Sequence, residues 1–181
     1  MNIFRLHDNP TTAAHMMCDK HVVKMVIEYG QLLSTAHRIL DGEEYTDRTK
    51  AGRRIKRWRL RERSLEKQIY KACHVNHPSA IWTRENLKNY QWLYDHFVAC
   101  AKEYEHRYGR VHETFRKLKS ILFSAPKNIK ETDNETIMPQ CMPDYCKEPI
   151  VTEGYRKYYR NEKQYFAKWT NREVPRWFLE S

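Results

Sequence analysis

The sequence predicts an all-α fold: a compact single-domain helical bundle over residues 1–181, with a short extended N-terminus and a basic helical insertion at 48–71. Three observations predict it. The 181 residues suit one domain with a hydrophobic core of its own. Only five glycines stand against 23 aromatics (12 Tyr, 6 Phe and 5 Trp), so turn formers are scarce and large packing residues abundant. Apolar residues also recur at three- and four-residue steps through the longest stretches, the signature of helices with one buried face.

Taken in order, "NIFRL" is a short apolar start, a brief strand or an extended lead-in. "HDNPTTAAHMM" carries helix-start chemistry, with Asp8 and Asn9 as candidate caps and Pro10 in the first turn. A helix is expected over about residues 11–40, with a kink near Gly30, ending at Gly42. The basic stretch reads as a second helix or a partly ordered insertion. Its Trp58, Leu60, Leu65 and Ile69 give only a thin apolar stripe, which suits docking at an edge. From Pro78 to Gly109, residues such as Trp82, Leu93, Phe97 and Tyr104 recur at helical spacing and Gly109 closes the run. A shorter helix is expected over 111–123 and a polar loop over 128–135. "MPQCMPDYCKEP" holds three prolines and cannot be helical throughout. A last helix is expected over about 152–169, with Trp177 and Phe178 tucked back onto the body.

The net charge of +10 is concentrated. Between Arg48 and Lys71 stand eleven Lys/Arg against Glu62 and Glu66, so this segment alone carries +9. A polyanion is the natural partner, and nucleic acid, DNA first, is the commonest. The alternative is a solvated basic helix. No apolar run approaches the roughly 20 residues that span a bilayer, and "MNIFRLHDNP" lacks the layout of a secretion signal. Five irregularly spaced cysteines are what reduced thiols look like, so a cytoplasmic protein with no membrane partner is expected.

The candidate chemistry lies in "CDKHVVKMVIEYGQLL". Steps of three and four residues align Met17, His21, Lys24, Glu28, Gln31 and Thr35 on one narrow stripe of a helix whose other faces are apolar. His21, Lys24 and Glu28 supply a proton carrier, an amine and a carboxylate. A lysine among apolar neighbours is a potential nucleophile toward an electrophilic carbon. The competing reading is a buried Lys24–Glu28 salt bridge on a structural helix.

Further candidates for gripping substrate are Arg53, Arg54, Arg57 and Arg59 in the basic segment. His77 lies at a helix start, where amides attract anions. Arg84, Arg107 and His112 complete the set, although cations at helix ends also have a structural role. Asp144 is a weaker loop carboxylate. Cys18 with His21, or Cys73 with His77, have spacings a metal could use. No CxxC pair or HExxH is present, so no metal and no cofactor are expected. "GYRKYYRNEKQYFAKW" alternates aromatics with Arg156, Lys157, Arg160, Lys163 and Lys168, a pattern that fits base stacking with phosphate contact or an amphipathic helix.

The motifs "CDKHVVKM", "NHPSAIW", "NYQWL", "EYEHRYGRVH", "MPDYC", "YRKYY" and "WTNREVPRWF" resemble a family of small uncharacterised proteins of tailed bacteriophages. That resemblance covers most of the chain except the basic segment, and it implies an infected bacterial host cell. The layout, more than the motifs, is similar to the phage pyrimidine-dimer DNA glycosylases of the endonuclease V type, which are compact helical proteins. Members of that family attack a sugar carbon with the N-terminal α-amine to form an imine, assisted by a glutamate on the first helix, while arginines hold the DNA. In this chain His15 matches the first-helix histidine. The glutamate position falls on Val22, with Asp19 and Glu28 the neighbouring carboxylates. Met1 before Asn2 is expected to be retained, which displaces the amine by one residue. α-Amines ordinarily titrate at about 7.7–8.0, so a fraction is free base at neutral pH.

Together these readings predict a DNA base-processing enzyme of glycosylase/lyase type. Lys24 or the Met1 amine would attack, Glu28 would stabilise developing positive charge, and His21 and His77 would move protons or bind phosphate. The alternatives are a non-enzymatic takeover factor binding nucleic acid or a host protein, and an enzyme acting on a small nucleotide or nucleotide-derived signal.

Overall fold

The computed structural model describes residues 1–179. Among these the chain is mostly helical but not all-α: eight α-helices accompany one antiparallel two-stranded ribbon. In order they are α1 (Pro10–Met16), α2 (Asp19–Asp41), β1 (Glu43–Arg48), β2 (Arg54–Arg59), α3 (Arg63–Gln68), α4 (Pro78–Glu85), α5 (Leu87–Tyr108), α6 (Glu113–Leu122), a 3-10 turn at Asp144–Cys146, α7 (Val151–Glu162) and α8 (Arg176–Leu179). No helix among the described residues is long and apolar enough to cross a membrane.

α2 is the spine, packed against α4, α5 and α6. Val22, Met25, Val26, Tyr29, Leu32, Leu33 and Ala36 of α2 are essentially inaccessible and join Leu93, Phe97, Leu118 and Tyr155 in one core. The first expected helix is two. Asn9 caps α1, its Oδ1 accepting from Thr11 N and Thr12 N at 3.0 Å each. The chain then turns through extended Met17 and Cys18, both buried. The next backbone N–H, of Asp19, is satisfied by the Lys168 carbonyl at 2.8 Å. The kink expected at Gly30 is absent, since α2 runs through it. Glycine serves there as a close-approach site: a Cβ would come 2.9 Å from Thr114 Cγ2 and 3.2 Å from Leu118 Cδ1 of α6.

The long helix expected from Pro78 also divides. Asn86, extended at φ −155°, caps α5 by accepting from Asn89 N at 2.9 Å, and Leu87 N donates to the Lys130 carbonyl at 2.8 Å. Gly109 ends α5 in the left-handed region, φ 67°, as its position implied. α7 stops at Glu162, short of the expected 169. Phe166 and Trp169 pack from irregular backbone instead, Trp169 Nε1 donating to the Met16 carbonyl at 3.0 Å. Trp177 does return to the body, edge-on to Tyr159 at 5.9 Å.

The basic segment is the largest correction. It is a hairpin followed by the short α3, not a helical insertion. β1 and β2 pair in register from Glu43 with Arg59 to Arg48 with Arg54, and Gly52 takes φ +79° in the loop. Tyr45, Thr46, Ile55 and Trp58 are β-formers on strands half-exposed to water, where helix spacing had little to pack against.

Candidate active site

The N-terminal segment is an extended lead-in, not a strand, and it is firmly held. Ile3 and Leu6 are wholly buried and Phe4 is nearly so. Asn2 Nδ2 donates to the Cys141 carbonyl at 2.9 Å, and Asn2 Oδ1 accepts from the Tyr155 hydroxyl at 2.8 Å. These bonds deliver the Met1 amine to the polar stripe of α2, where its nitrogen lies 3.9 Å from Glu28 Oε2. The other carboxylate oxygen, Oε1, is 3.1 Å from Lys24 Nζ. One carboxylate therefore stands between two amines.

Met1, Phe4, His21, Lys24, Glu28 and Lys163 line a cleft of about 250 Å³, with Asn2, Met25, Cys141 and Tyr158 completing its walls. All four residues expected to do chemistry meet here. Their environments differ sharply. The Met1 side chain is 3 % exposed and that of Glu28 14 %, whereas Lys24 is 68 % exposed. Lys24 is thus not held among apolar neighbours, and the pair it makes with Glu28 is not a buried salt bridge. With its lysine in solvent, an i,i+4 pair contributes only about 0.3–0.5 kcal/mol, and with Lys preceding Glu still less.

His21 is a fixed neutral ring and not the proton carrier expected. Burial, reinforced by the charges of Lys163 and Lys24, lowers its pKa to about 3. Its Nδ1 lies 2.5 Å from the Tyr159 hydroxyl, and its ring stacks on Phe4 at 4.1 Å. Burial raises the Tyr159 phenol well above its ordinary value, so that hydroxyl keeps its proton. Lys163 sits over the Tyr158 ring at 4.4 Å. Phe4, Tyr158 and Cys141 were not singled out as site residues. The signal for Tyr158 and Lys163 was present in the aromatic–basic alternation of 154–169, while Phe4 and Cys141 left none.

His77 lies outside the cleft lining but close by. Its Nδ1 accepts from Ser79 N at 3.2 Å and caps α4. Burial, then the Met1 ammonium and His74, lower its pKa. His112 does the same service for α6, accepting from Thr114 N at 3.2 Å. Both histidines are accounted for as helix caps. Arg84 is half-buried, with Nη1 enclosed and unpartnered among the described residues.

Arg107 does not face a ligand at all. Its side chain is fully buried, donating to Glu103 Oε1 at 2.7 Å, Asp19 Oδ1 at 2.8 Å and the His15 carbonyl at 3.2 Å. Arg172 closes the same network on Glu103 at 2.8 Å. This cluster ties α2, α5 and the C-terminal segment together. Among the described residues, no three His, Cys, Asp or Glu side chains group so as to hold a metal ion.

The remaining arginines divide between the two faces of the hairpin. Arg54 and Lys56 alternate with Arg57 and Arg59 across the ribbon. Arg59 stacks over Tyr45 at 4.7 Å and Arg57 is half-buried, whereas Arg53 and Arg54 are exposed near the tip. Neither Arg53 nor Arg54 makes an ion pair among the described residues.

Compared with known protein families, curated proteins and solved structures, the chain shows no match.

Proposed function

We propose that this cleft processes damaged or modified bases in DNA by glycosylase/lyase chemistry. The observation that carries the reading is the Met1 amine 3.9 Å from the Glu28 carboxylate, inside a cleft walled by aromatic and cationic side chains. An N-terminal amine beside a glutamate of the first long helix is the pairing that the resemblance to pyrimidine-dimer glycosylases implies. Matching by sequence position had put Val22 where the glutamate belongs, but Glu28 meets the amine in space.

The chemistry balances as follows. The free amine nitrogen bonds to C1′ of the sugar while the C1′–N glycosidic bond breaks, and its electron pair leaves with the base, which takes up a proton. Loss of the amine's proton to Glu28 and opening of the C1′–O4′ bond give an imine, with O4′ protonated. Water then releases the sugar, or the 3′ phosphate is eliminated. In this reading Glu28, 3.9 Å from the amine, closes to hydrogen-bond distance to receive the ammonium proton and then stabilises the iminium charge. Met1 is the preferred nucleophile over Lys24, because an α-amine is intrinsically the less basic of the two and it sits at the better-enclosed end of the pair. His21 acts as a neutral wall and not as an acid. Extruding a nucleotide into the cleft costs a few kcal/mol, which stacking on an aromatic wall offsets by about 1–3 kcal/mol per base.

Borohydride trapping tests this. The protein is incubated with ultraviolet-damaged, base-modified and abasic duplexes, reduced, and resolved on a denaturing gel, with adducts mapped by mass spectrometry. A covalent band on damaged or modified DNA at Met1, lost in Glu28→Gln and kept in Lys24→Met, is expected. A band at Lys24 would move the nucleophile. A band on abasic DNA alone, or none, would overturn base processing in favour of a binding protein.

A further inference from the structure

The polar stripe of α2 does not end at the cleft. Glu28, Gln31, Thr35, Arg38 and Gly42 continue it at three- and four-residue steps to the base of the hairpin. The chain returns along this same stripe. Arg38 donates to the carbonyls of Trp58 at 3.1 Å and Tyr70 at 2.9 Å, and Thr35 Oγ1 accepts from Cys73 N at 3.2 Å. His77 then opens α4, whose Ser79 hydroxyl lies 3.5 Å from Sγ of Cys141 in the cleft wall. Thr35 and Arg38 are buried beneath this returning segment, and hairpin and cleft are the two ends of the face it forms. Exposed Lys67, Lys71, His74 and Asn76 lie on the segment that runs back from the hairpin.

The hairpin projects from this face. It docks through Gly42 and Trp58, where a Cβ on the glycine would meet Trp58 Cβ at 3.1 Å. Beyond that base, Glu44, Thr46, Arg48, Lys50, Arg53 and Arg54 are all exposed. The acids near the base are already paired, Glu43 with Arg61 and Glu44 with Lys56, and toward the tip Asp47 alone stands against Arg48, Lys50, Arg53 and Arg54. A two-stranded ribbon fits the major groove of B-form DNA, about 12 Å wide, and does not fit the deep, narrow major groove of A-form RNA.

We propose that the hairpin is a second, remote contact for duplex DNA, entering the major groove to one side of the nucleotide held in the cleft. The fourteen helical steps from Glu28 to Gly42 amount to about 21 Å at 1.5 Å per residue, or about 6 base pairs at 3.4 Å each. One-sided binding follows, because only one end of the face carries the hairpin. The placement of the nucleotide rests on the proposed function; the hairpin's preference for duplex DNA does not.

The test has two arms. In the first, anisotropy measures binding of undamaged DNA and RNA duplexes to the protein and to Arg53→Ser/Arg54→Ser across a salt series. Tighter binding of DNA is expected, with a salt slope lowered by about two in the variant, since each phosphate contact contributes about 0.9. The Arg53→Lys/Arg54→Lys variant should restore the slope. Equal binding of RNA, or an unchanged slope, overturns the hairpin contact. In the second arm the borohydride-trapped complex is footprinted by hydroxyl radicals. Protection reaching about 6 base pairs to one side of the adduct and lost in the serine variant is expected, whereas symmetric protection overturns the one-sided geometry. Failure to trap any complex rejects the chemistry and this placement together, while the first arm still decides the hairpin.

Discussion

Replacing Arg107 with methionine separates a residue that holds the fold from one that holds DNA. Methionine keeps much of the length and volume but removes the charge and every donor. Three bonds are lost: to Glu103, Asp19 and the His15 carbonyl. Glu103, 1 % exposed, keeps Arg172 at 2.8 Å, and Asp19 keeps the Thr170 hydroxyl at 2.8 Å. Removing one partner of a buried pair costs about 3–5 kcal/mol, and the surviving partners place this case near 3 kcal/mol. For a chain of this size that is a fall in Tm of about 6–12 °C, measured by circular dichroism alongside urea unfolding. Duplex affinity of the folded variant should match the parent. The acid limb gives a further check. Burial pushes the Glu103 carboxyl up, but hydrogen bonds from Arg172 and Arg107 outweigh it and the net shift is downward. That stabilisation is present above the carboxyl's unfolded value of about 4.3 and is lost as pH falls through the folded one, so parent and variant should begin to converge below about pH 4.3 and meet only below the folded value. A destabilisation under about 1 kcal/mol, joined to a tenfold loss of DNA affinity, would refute the assignment; a tenfold loss alone corresponds to about 1.4 kcal/mol of binding.

Lys24→Met should change unfolding free energy by less than about 0.5 kcal/mol, as measured in urea, because the lysine itself stands 68 % exposed to solvent. Gly154→Ala should cost about 1–3 kcal/mol: a Cβ there would stand 2.0 Å from Gln140 Oε1, displacing the side chain that bonds Glu148 N at 3.1 Å and Glu148 O at 2.6 Å. Thermal melts of that variant check it. Stability should also fall steeply below neutrality. Burial lowers His21 to about 3 and His96 to about 4, so the unfolded chain binds protons that the folded chain refuses. Stability is therefore full above the unfolded value of about 6.5 and declines as pH drops toward the folded values, by somewhat over 1 kcal/mol per unit for each histidine. Urea midpoints at pH 7 and pH 5 measure it, and His21→Phe should flatten part of the slope.

Elements with one strongly apolar face were legible in the sequence because periodicity reports burial directly. α2, α5 and α6 were recovered on that signal, and Gly109 and Gly42 marked their ends. The breaks within the first and third expected helices were not legible. Met17 and Cys18 are apolar and fit the helical pattern, and what turns the chain there is a tertiary bond, Asp19 N to the Lys168 carbonyl. Asn86 did carry a local signal, as a cap residue three before Asn89, but it was masked by the apolar spacing on both sides. The basic hairpin was misread because charge density hid its β-formers. Arg107 was misread for a similar reason: a cation near a helix end looks solvated until a buried carboxylate four residues earlier proves to be its partner.

The site itself was half legible, and the missing half is instructive. The stripe of His21, Lys24 and Glu28 follows from helix geometry alone, but spacing cannot reveal which amine reaches the carboxylate. Lys24 is fixed to Glu28 by its position on α2 and so was visible. Met1 is brought there by Asn2, two of whose three side-chain bonds reach residues far along the chain, at Cys141 and Tyr155. The carboxylate thus faces one amine supplied by its own helix and one delivered by the folded core. The helical pair exists whenever α2 is helical. The Met1–Glu28 pair exists only when the N-terminal segment, the 139–141 loop and α7 are assembled together. Under the proposed function, an amine that meets its carboxylate only in the assembled fold is positioned before substrate arrives, without ordering a mobile side chain at the moment of reaction. Lys24, with its long stem in solvent, would have to surrender rotamer freedom worth up to about 2 kcal/mol to do the same. On that proposal the fold favours the amine that the resemblance, and not the helical spacing, had singled out.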